Sequence, residues 1–104
     1  MTLYQLSPDA RRDLAEIRLY LTQLPVQPAK KIIREIKTMF RRIAENPYIG
    51  QAHSDLTRIA GQEVRSRLCG TYRIYYRFSQ PVPQVFAIRH TARDSRGILT
   101  NRLQ

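Results

Sequence analysis

The stretch that decides the fold is residues 63–78, which read EVRSRLCGTYRIYYRF. Two runs, Glu63–Cys69 and Tyr72–Phe78, alternate in polarity along their length, which is typical of half-buried strands. Only Gly70 and Thr71 separate them, and a two-residue connection that contains glycine predicts a β-hairpin. Pro81 and Pro83 predict the next turn, and residues 84–90 predict a third strand. The second half of the chain is therefore predicted to form an antiparallel meander.

Two helices are predicted before the hairpin. The first begins at Ser7-Pro8-Asp9, because serine caps free amides, proline fits the first helical position and aspartate complements the helix dipole. Its apolar residues recur at steps of three and four, namely Ala10, Leu14, Ile17, Leu21 and Leu24. Pro25 and Pro28 interrupt this pattern, and a second helix is predicted to end near Asn46, before Pro47. Its apolar face consists of Ala29, Ile32, Ile33, Ile36, Phe40 and Ile43.

The apolar faces of helices and strands bury each other most simply in a two-layer α+β fold, with a helical hairpin packed on a mainly antiparallel sheet. At 104 residues the chain is expected to form one domain, residues 1–104. Residues 47–62 are predicted to be a loop that can include a short helical turn, either functional or a plain surface crossover. Residues 92–104 are predicted to be a partly flexible tail.

The composition predicts a negatively charged partner. Eighteen lysines and arginines against eight acidic residues give a formal charge of +10, which attracts nucleic acid, an acidic protein or an acidic patch on a larger target. The single cysteine, Cys69, makes no internal disulfide, and no metal-ligand spacing is present, so we expect a reducing cytoplasm and neither metal nor cofactor. We expect no secretion and no membrane insertion, because the sequence lacks a signal-peptide pattern and a long apolar segment.

An arginine-rich sheet face is the main candidate site. Alternation along the strands predicts that one face turns towards the helices and carries Val64, Leu68, Ile74, Tyr76, Phe86 and Ile88. The other face then carries Arg65, Arg67, Arg73, Tyr75, Arg77 and Arg89. Such a face can bind phosphates or carboxylates, or it can be a solvated polar surface. The mutual repulsion of the arginines favours an external partner.

His90 is the only histidine expected on the sheet. It can act as a general acid or base with its ring oriented by Asp94, or it can be a strand-end histidine hydrogen-bonded to backbone or to Asp94. No phosphate-binding glycine loop, serine triad or pair of catalytic carboxylates accompanies it, which favours the second interpretation.

Four groups of residues in order resemble bacterial type II toxins of the ParE/RelE superfamily. They are Leu6-Ser7-Pro8-Asp9-Ala10 with Asp13-Leu14 and Ile17, then Ile43-Ala44-Glu45-Asn46-Pro47 with Gly50, then Tyr72-Arg73-Ile74-Tyr75-Tyr76, and finally His90-Thr91-Ala92-Arg93-Asp94. The resemblance implies the chain order β-α-α-β-β-β and a ParD-like antitoxin whose tail wraps the toxin. RelE-like members cut messenger RNA on the ribosome, whereas ParE-like members inhibit DNA gyrase.

The end of the chain resembles the ParE branch, because no tyrosine or lysine follows His90. The resemblance therefore implies a non-enzymatic gyrase inhibitor, and the predicted partner contacts are Arg65, Arg67, Arg73, Tyr75, Arg77, Arg89 and Arg93. The alternative is a ribosome-dependent endoribonuclease that uses Arg65, Arg73, Arg77 and His90 on messenger RNA. A DNA-binding or scaffold module is disfavoured, because no helix-turn-helix pattern is present.

Overall fold

The computed structural model describes residues 3–25, 28–79 and 82–104, so the predicted turn at Pro81 and part of the predicted connection between the helices lie outside it. The helices are α1 (Pro8–Thr22), α2 (Ala29–Glu45), α3 (Ser54–Ala60) and α4 (Arg96–Leu103), with a 3-10 turn at Pro47–Ile49. The strands are β1 (Gln5–Leu6), β2 (Gln51–Ala52), β3 (Glu63–Cys69), β4 (Tyr72–Phe78) and β5 (Gln84–His90). They form one sheet in the order β1-β5-β4-β3-β2, in which only β1 and β5 run parallel. The predicted α+β fold is confirmed.

The first helix begins where its cap predicts. The Ser7 hydroxyl accepts a hydrogen bond from the Ala10 amide at 3.0 Å, and Pro8 occupies the first helical position. The α1 stripe and the apolar face of α2 then pack on one face of the sheet, called here the hairpin face, against Tyr72, Ile74, Tyr76, Phe78, Val85 and Ile88. This core buries most of the apolar side chains that the helical periodicity picked out.

The strand bounds agree with the prediction, but the predicted faces of β3 do not. The two-residue turn at Gly70 and Thr71 pairs Cys69 with Tyr72, and the same register pairs Arg65 with Tyr76. Directly paired residues share a face, so Arg65 and Arg67 lie on the hairpin face, and Val64 and Leu68 lie on the other. The prediction that Val64 and Leu68 share a face with Ile74 and Tyr76 was therefore wrong.

A β-bulge changes the face of one further residue. The register shifts between Tyr75 and Tyr76, so that Tyr75 pairs with Ala87 and Tyr76 pairs with Val85. Phe86 is the extra residue of this bulge, and it packs with Ala87 away from the helical hairpin. Phe86 was predicted to share a face with Ile88. The bulge separates them, and only Ile88 lies in the hairpin core.

A second, smaller core covers the opposite face of the sheet, called here the outer face. It contains Leu56 from α3, Leu99 and Leu103 from α4, and the strand residues Val64, Phe86 and Ala87. The prediction of a loop over residues 47–62 was correct only in allowing a short helical turn, because this segment forms the 3-10 turn, β2 and α3. Where a partly flexible tail was predicted, α4 occupies residues 96–103 and two of its leucines are buried.

Gly50 lies where backbone and side chain approach most closely. Its amide donates to the Tyr76 hydroxyl at 3.0 Å, and that hydroxyl donates in turn to the Pro47 carbonyl. A Cβ atom at position 50 would lie 2.5 Å from the Tyr76 oxygen and 2.7 Å from the Ser66 carbonyl oxygen. Its φ of −82° is allowed for any residue, so the backbone conformation does not require glycine here. Glycine is required because a side chain has no room.

The free edge of β5 is covered by an ion pair. β1 pairs only with Gln84 and Val85, and in the described part of the chain no strand lies beside residues 86–88 on that side. The buried Asp13 carboxylate on α1 accepts from the Ile88 amide at 2.9 Å, and Arg102 on α4 donates to the Phe86 carbonyl at 3.1 Å. Arg102 also donates two hydrogen bonds to Asp13, at 2.6 and 2.9 Å. These hydrogen bonds raise the pKa of the Arg102 guanidinium above its ordinary value.

Asp13→Asn is expected to lower the free energy of unfolding by about 3 kcal/mol, because it leaves the largely buried Arg102 charge without its counterion. Asp9→Asn is the matched control, since Asp9 is partly exposed and lies 3.9 Å from the same guanidinium. It should cost less than about 1 kcal/mol. Urea denaturation monitored by circular dichroism measures both variants, and equal losses would contradict the role given to Asp13.

Candidate functional site

The seven predicted contact residues do not form one surface. Arg65 and Arg67 lie on the hairpin face and donate to backbone carbonyls of the 48–50 segment. Arg65 reaches the carbonyls of Tyr48 at 3.3 Å and Gly50 at 2.9 Å, and Arg67 reaches that of Ile49 at 3.1 Å. The Arg65 guanidinium also lies 5.0 Å from the centre of the Tyr48 ring. Both arginines therefore hold the segment after α2 against the sheet.

Arg77 lies on the outer face and contacts the second core. Its Nε donates to the Gln84 side chain at 3.0 Å, and its guanidinium lies 5.9 Å from the centre of the Phe86 ring. This distance is compatible with a cation–π contact. Like Arg65 and Arg67, Arg77 is engaged within the fold.

The remaining predicted contacts come together around a cavity of about 190 Å³. Its lining, called here the arginine pocket, consists of Arg73, Tyr75, Arg89, His90, Thr91, Arg93 and Ser95. Arg73 donates to the Ser66 hydroxyl at 2.8 Å, and Arg89 donates to the hydroxyl of buried Ser95 at 2.9 Å. One opening is thus lined by Arg73 of β4, Arg89 of β5 and Arg93 of the turn before α4.

The arginine pocket is strongly electropositive. Its lining holds no acidic residue, and the ion pairs found among the described residues use arginines 12, 65, 96 and 102 only. Burial raises the pKa of Tyr75, and the charges of Arg73 and Arg89 oppose that rise. The phenol therefore lies within the field of both guanidinium groups.

His90 is held as a strand-end histidine. Its Nδ1 accepts from the Ala92 amide at 3.1 Å, and its ring packs edge-on against Tyr72 with 5.5 Å between ring centres. Asp94 accepts instead from the Arg96 amide at 3.2 Å, so no hydrogen bond between Asp94 and the His90 ring is found. The sequence left two possible partners for this strand-end histidine, the backbone and Asp94. The structure shows the hydrogen bond to the backbone.

A second histidine lies against the sheet, which the sequence analysis missed. His53 directly precedes α3, and its Nε2 lies 2.6 Å from the Ser66 hydroxyl oxygen that also accepts from Arg73. Its ring centre lies 5.6 Å from that of Tyr75. Burial and, secondly, the charge of Arg73 lower the pKa of His53, while Asp55 opposes them. His53 lies in the segment that was predicted to be a loop. The turn-forming residues of that segment were the only sequence signal near it, and they did not indicate a contact with the sheet.

His53 is expected to make stability depend on pH. Because its pKa in the folded protein is lowered from the ordinary 6.5, the unfolded chain binds more protons as the pH falls below that value. The free energy of unfolding should therefore fall between about pH 7 and about pH 5. His53→Gln should reduce this fall relative to the parent chain, as urea midpoints at the two pH values will show. An unchanged pH dependence in His53→Gln would contradict this assignment.

A basic groove lies between α1 and α2 of the helical hairpin. It has a volume of about 440 Å³ and an apolar floor that includes Ala29 and Ile33. Five basic side chains line it, Arg18, Lys30, Arg34, Lys37 and Arg41, and no acidic residue is found among the described residues that do so. This surface, called here the hairpin groove, is separate from the arginine pocket.

A protein-family model described as the ParE toxin of the type II toxin-antitoxin system parDE matches residues 4–95. This chain belongs to the ParE toxin family. The match covers β1 to β5 and ends at Ser95, directly before α4. The ParE assignment that the sequence motifs predicted is thereby confirmed.

A solved structure from P. aeruginosa, a chromosomal ParDE toxin-antitoxin system, resembles this ParE family member in fold. It has a TM-score of 0.65 and 16% sequence identity, and the alignment covers 86% of this chain and 96% of that one. No curated protein sequence matches the chain. In the described part of the chain no helix is both long and apolar enough to cross a membrane, and no cluster of potential metal ligands is found there.

Proposed function

We propose that this ParE family member inhibits DNA gyrase in the cytoplasm without enzymatic activity, and that a cognate ParD-like antitoxin neutralises it. The observation that carries the proposal is the family match over residues 4–95. The resemblance to the ParE branch implies gyrase as the target, because ParE-like members of the superfamily inhibit gyrase. The fold adds support through the position of the residues that the alternative activity would need.

The alternative, an endoribonuclease, requires Arg65, Arg73, Arg77 and His90 to converge on one phosphate. Arg65 lies on the hairpin face and bonds to carbonyls, whereas Arg73 and Arg77 lie on the outer face. His90 packs on Tyr72 of the hairpin core and also lines the arginine pocket with Arg73. Arg65 on the opposite face and Arg77 beside Phe86 lie outside that pocket, so the four side chains do not converge on one phosphate. This arrangement disfavours a nuclease built on these four residues.

The hairpin groove is the surface that we assign to the antitoxin. Its apolar floor and basic rim are complementary to an amphipathic helix with an acidic polar face. The residues predicted as partner contacts remain proposed contacts on both faces of the sheet, namely Arg65, Arg67, Arg73, Tyr75, Arg77, Arg89 and Arg93. Each guanidinium carries five N–H donors, so its bonds within the fold leave donors for a partner.

Purified toxin free of antitoxin is expected to inhibit DNA supercoiling by gyrase and to leave messenger RNA intact in a translation reaction. His90→Ala should inhibit gyrase as strongly as the parent chain, because the proposal gives the imidazole no chemical role. Agarose gels of the plasmid topoisomers and primer extension on the RNA measure both activities.

A urea titration of His90→Ala shows whether that variant is folded before its activity is compared. Cleaved RNA with unaffected gyrase, abolished by His90→Ala in a folded protein, would establish the endoribonuclease instead. Inactivity in both reactions would also contradict the proposal, provided that the parent chain is folded.

Reversing charges in the hairpin groove is expected to weaken antitoxin binding by at least about tenfold, because like charges then face the acidic helix. The double variant Arg34→Glu with Lys37→Glu tests this, measured by calorimetry with the cognate ParD-like antitoxin. Arg11→Glu with Lys31→Glu is the matched control, since both side chains are exposed, lie outside the groove and change the net charge equally. Equal affinities of the two double variants would show that the groove is not the docking surface.

A further inference from the structure

Arg73 and Arg89 face each other directly across the β4–β5 ladder. Like charges in directly opposed positions destabilise a sheet, and they are normally separated or neutralised. Here the acceptors of both guanidinium groups are neutral, namely the hydroxyls of Ser66 and Ser95 and, for Arg73, the Gln51 side chain at 3.4 Å. A bound anion between the two guanidinium groups would explain why two like charges stand opposite each other.

The arginine pocket offers donors from several directions around one small volume. Arg73 and Arg89 come from adjacent strands, Arg93 from the turn after β5, and Tyr75 from the strand position next to Ala87. Ser95, the residue before α4, makes no capping hydrogen bond, and its hydroxyl accepts from Arg89 instead. The nearest acidic side chain in sequence, Asp94, bonds to the Arg96 amide and does not line the cavity.

We infer that the arginine pocket binds one phosphate group. Two arginines, or one bidentate arginine, satisfy the two oxygens of a carboxylate, whereas three guanidinium groups with hydroxyl donors suit the three or four oxygens of a tetrahedral oxyanion. The three positive charges also exceed, and so can neutralise, the charge of close to −2 that a phosphate monoester carries at neutral pH. The cavity of about 190 Å³ has room for a phosphate group together with a small part of the molecule that bears it.

This inference is independent of gyrase as the target, because it concerns a ligand of the free chain. It also predicts that repulsion between Arg73 and Arg89 destabilises the fold when no anion is bound. Removing one arginine should leave the fold as stable as before, or more stable, and should abolish the response to phosphate. If the arginine had only a structural role, its removal would lower the free energy of unfolding instead.

The test compares urea midpoints of the full-length chain in phosphate and in chloride at equal ionic strength. Phosphate stabilises many proteins by exclusion from their surface, so the comparison that matters is between variants. The parent chain and Arg11→Gln, an exposed control on α1, should show a saturable rise in midpoint with phosphate. Arg73→Gln and Arg89→Gln should be at least as stable in chloride and should bind phosphate about tenfold more weakly or not at all.

Two dinucleotides distinguish the sources of the phosphate. If a 5′-phosphorylated dinucleotide binds the parent chain more tightly than the same dinucleotide without that phosphate, the pocket takes a terminal monoester. If both bind equally and the arginine variants lose both, it takes the phosphodiester. A phosphate response of equal size in all variants would overturn the inference. A tetraglutamate peptide that binds through Arg73 and Arg89 more tightly than phosphate would overturn it as well and assign the pocket to an acidic partner.

Discussion

The ion pair between Asp13 and Arg102 determines how the two sides of the sheet are joined. It links α1 on the hairpin face to α4 on the outer face, and it does so at the one stretch of β5 that β1 leaves uncovered. An open strand edge exposes amides and carbonyls to other chains, and here a carboxylate and a guanidinium take the place of the missing strand. This contact and the burial of Leu99 and Leu103 together hold α4, which begins directly after Ser95, whose hydroxyl accepts from Arg89.

The sequence predicted the elements with strong periodicity and failed where periodicity is weak. The bounds of β3, β4 and β5 and the start of α1 agree with the structure, because alternation, a glycine turn and a serine cap are local signals. Neither α3 nor α4 was predicted, because both are short, and long-range packing of a few leucines stabilises them. The position of Asp13 beside Leu14, next to an apolar stripe, indicates a buried carboxylate that needs a partner. That partner, Arg102, lies in the segment that was predicted to be a tail.

The strand faces show a more specific limit of sequence analysis. Alternation states which residues of one strand share a face, but it does not state which face of the neighbouring strand they join. The two-residue turn contains that information, because it pairs Cys69 with Tyr72 and thereby places Arg65 opposite Tyr76. The bulge at Phe86 has no comparable signal. Whether an arginine meets backbone carbonyls, as Arg65 does, or lines a cavity, as Arg73 does, depends on this geometry.

β5 contacts both cores, and the bulge places two consecutive residues of this strand in the second one. Val85 enters the hairpin core, and the next two residues, Phe86 and Ala87, enter the second core. Neither cluster can loosen without disturbing the backbone of the same strand, and the Ile88 amide beyond it is already tied to α1. We therefore expect the two cores to open as one cooperative unit. In amide hydrogen exchange, the slowest protons on both sides of the sheet would report a single opening event, so that a ligand bound on one face protects the other.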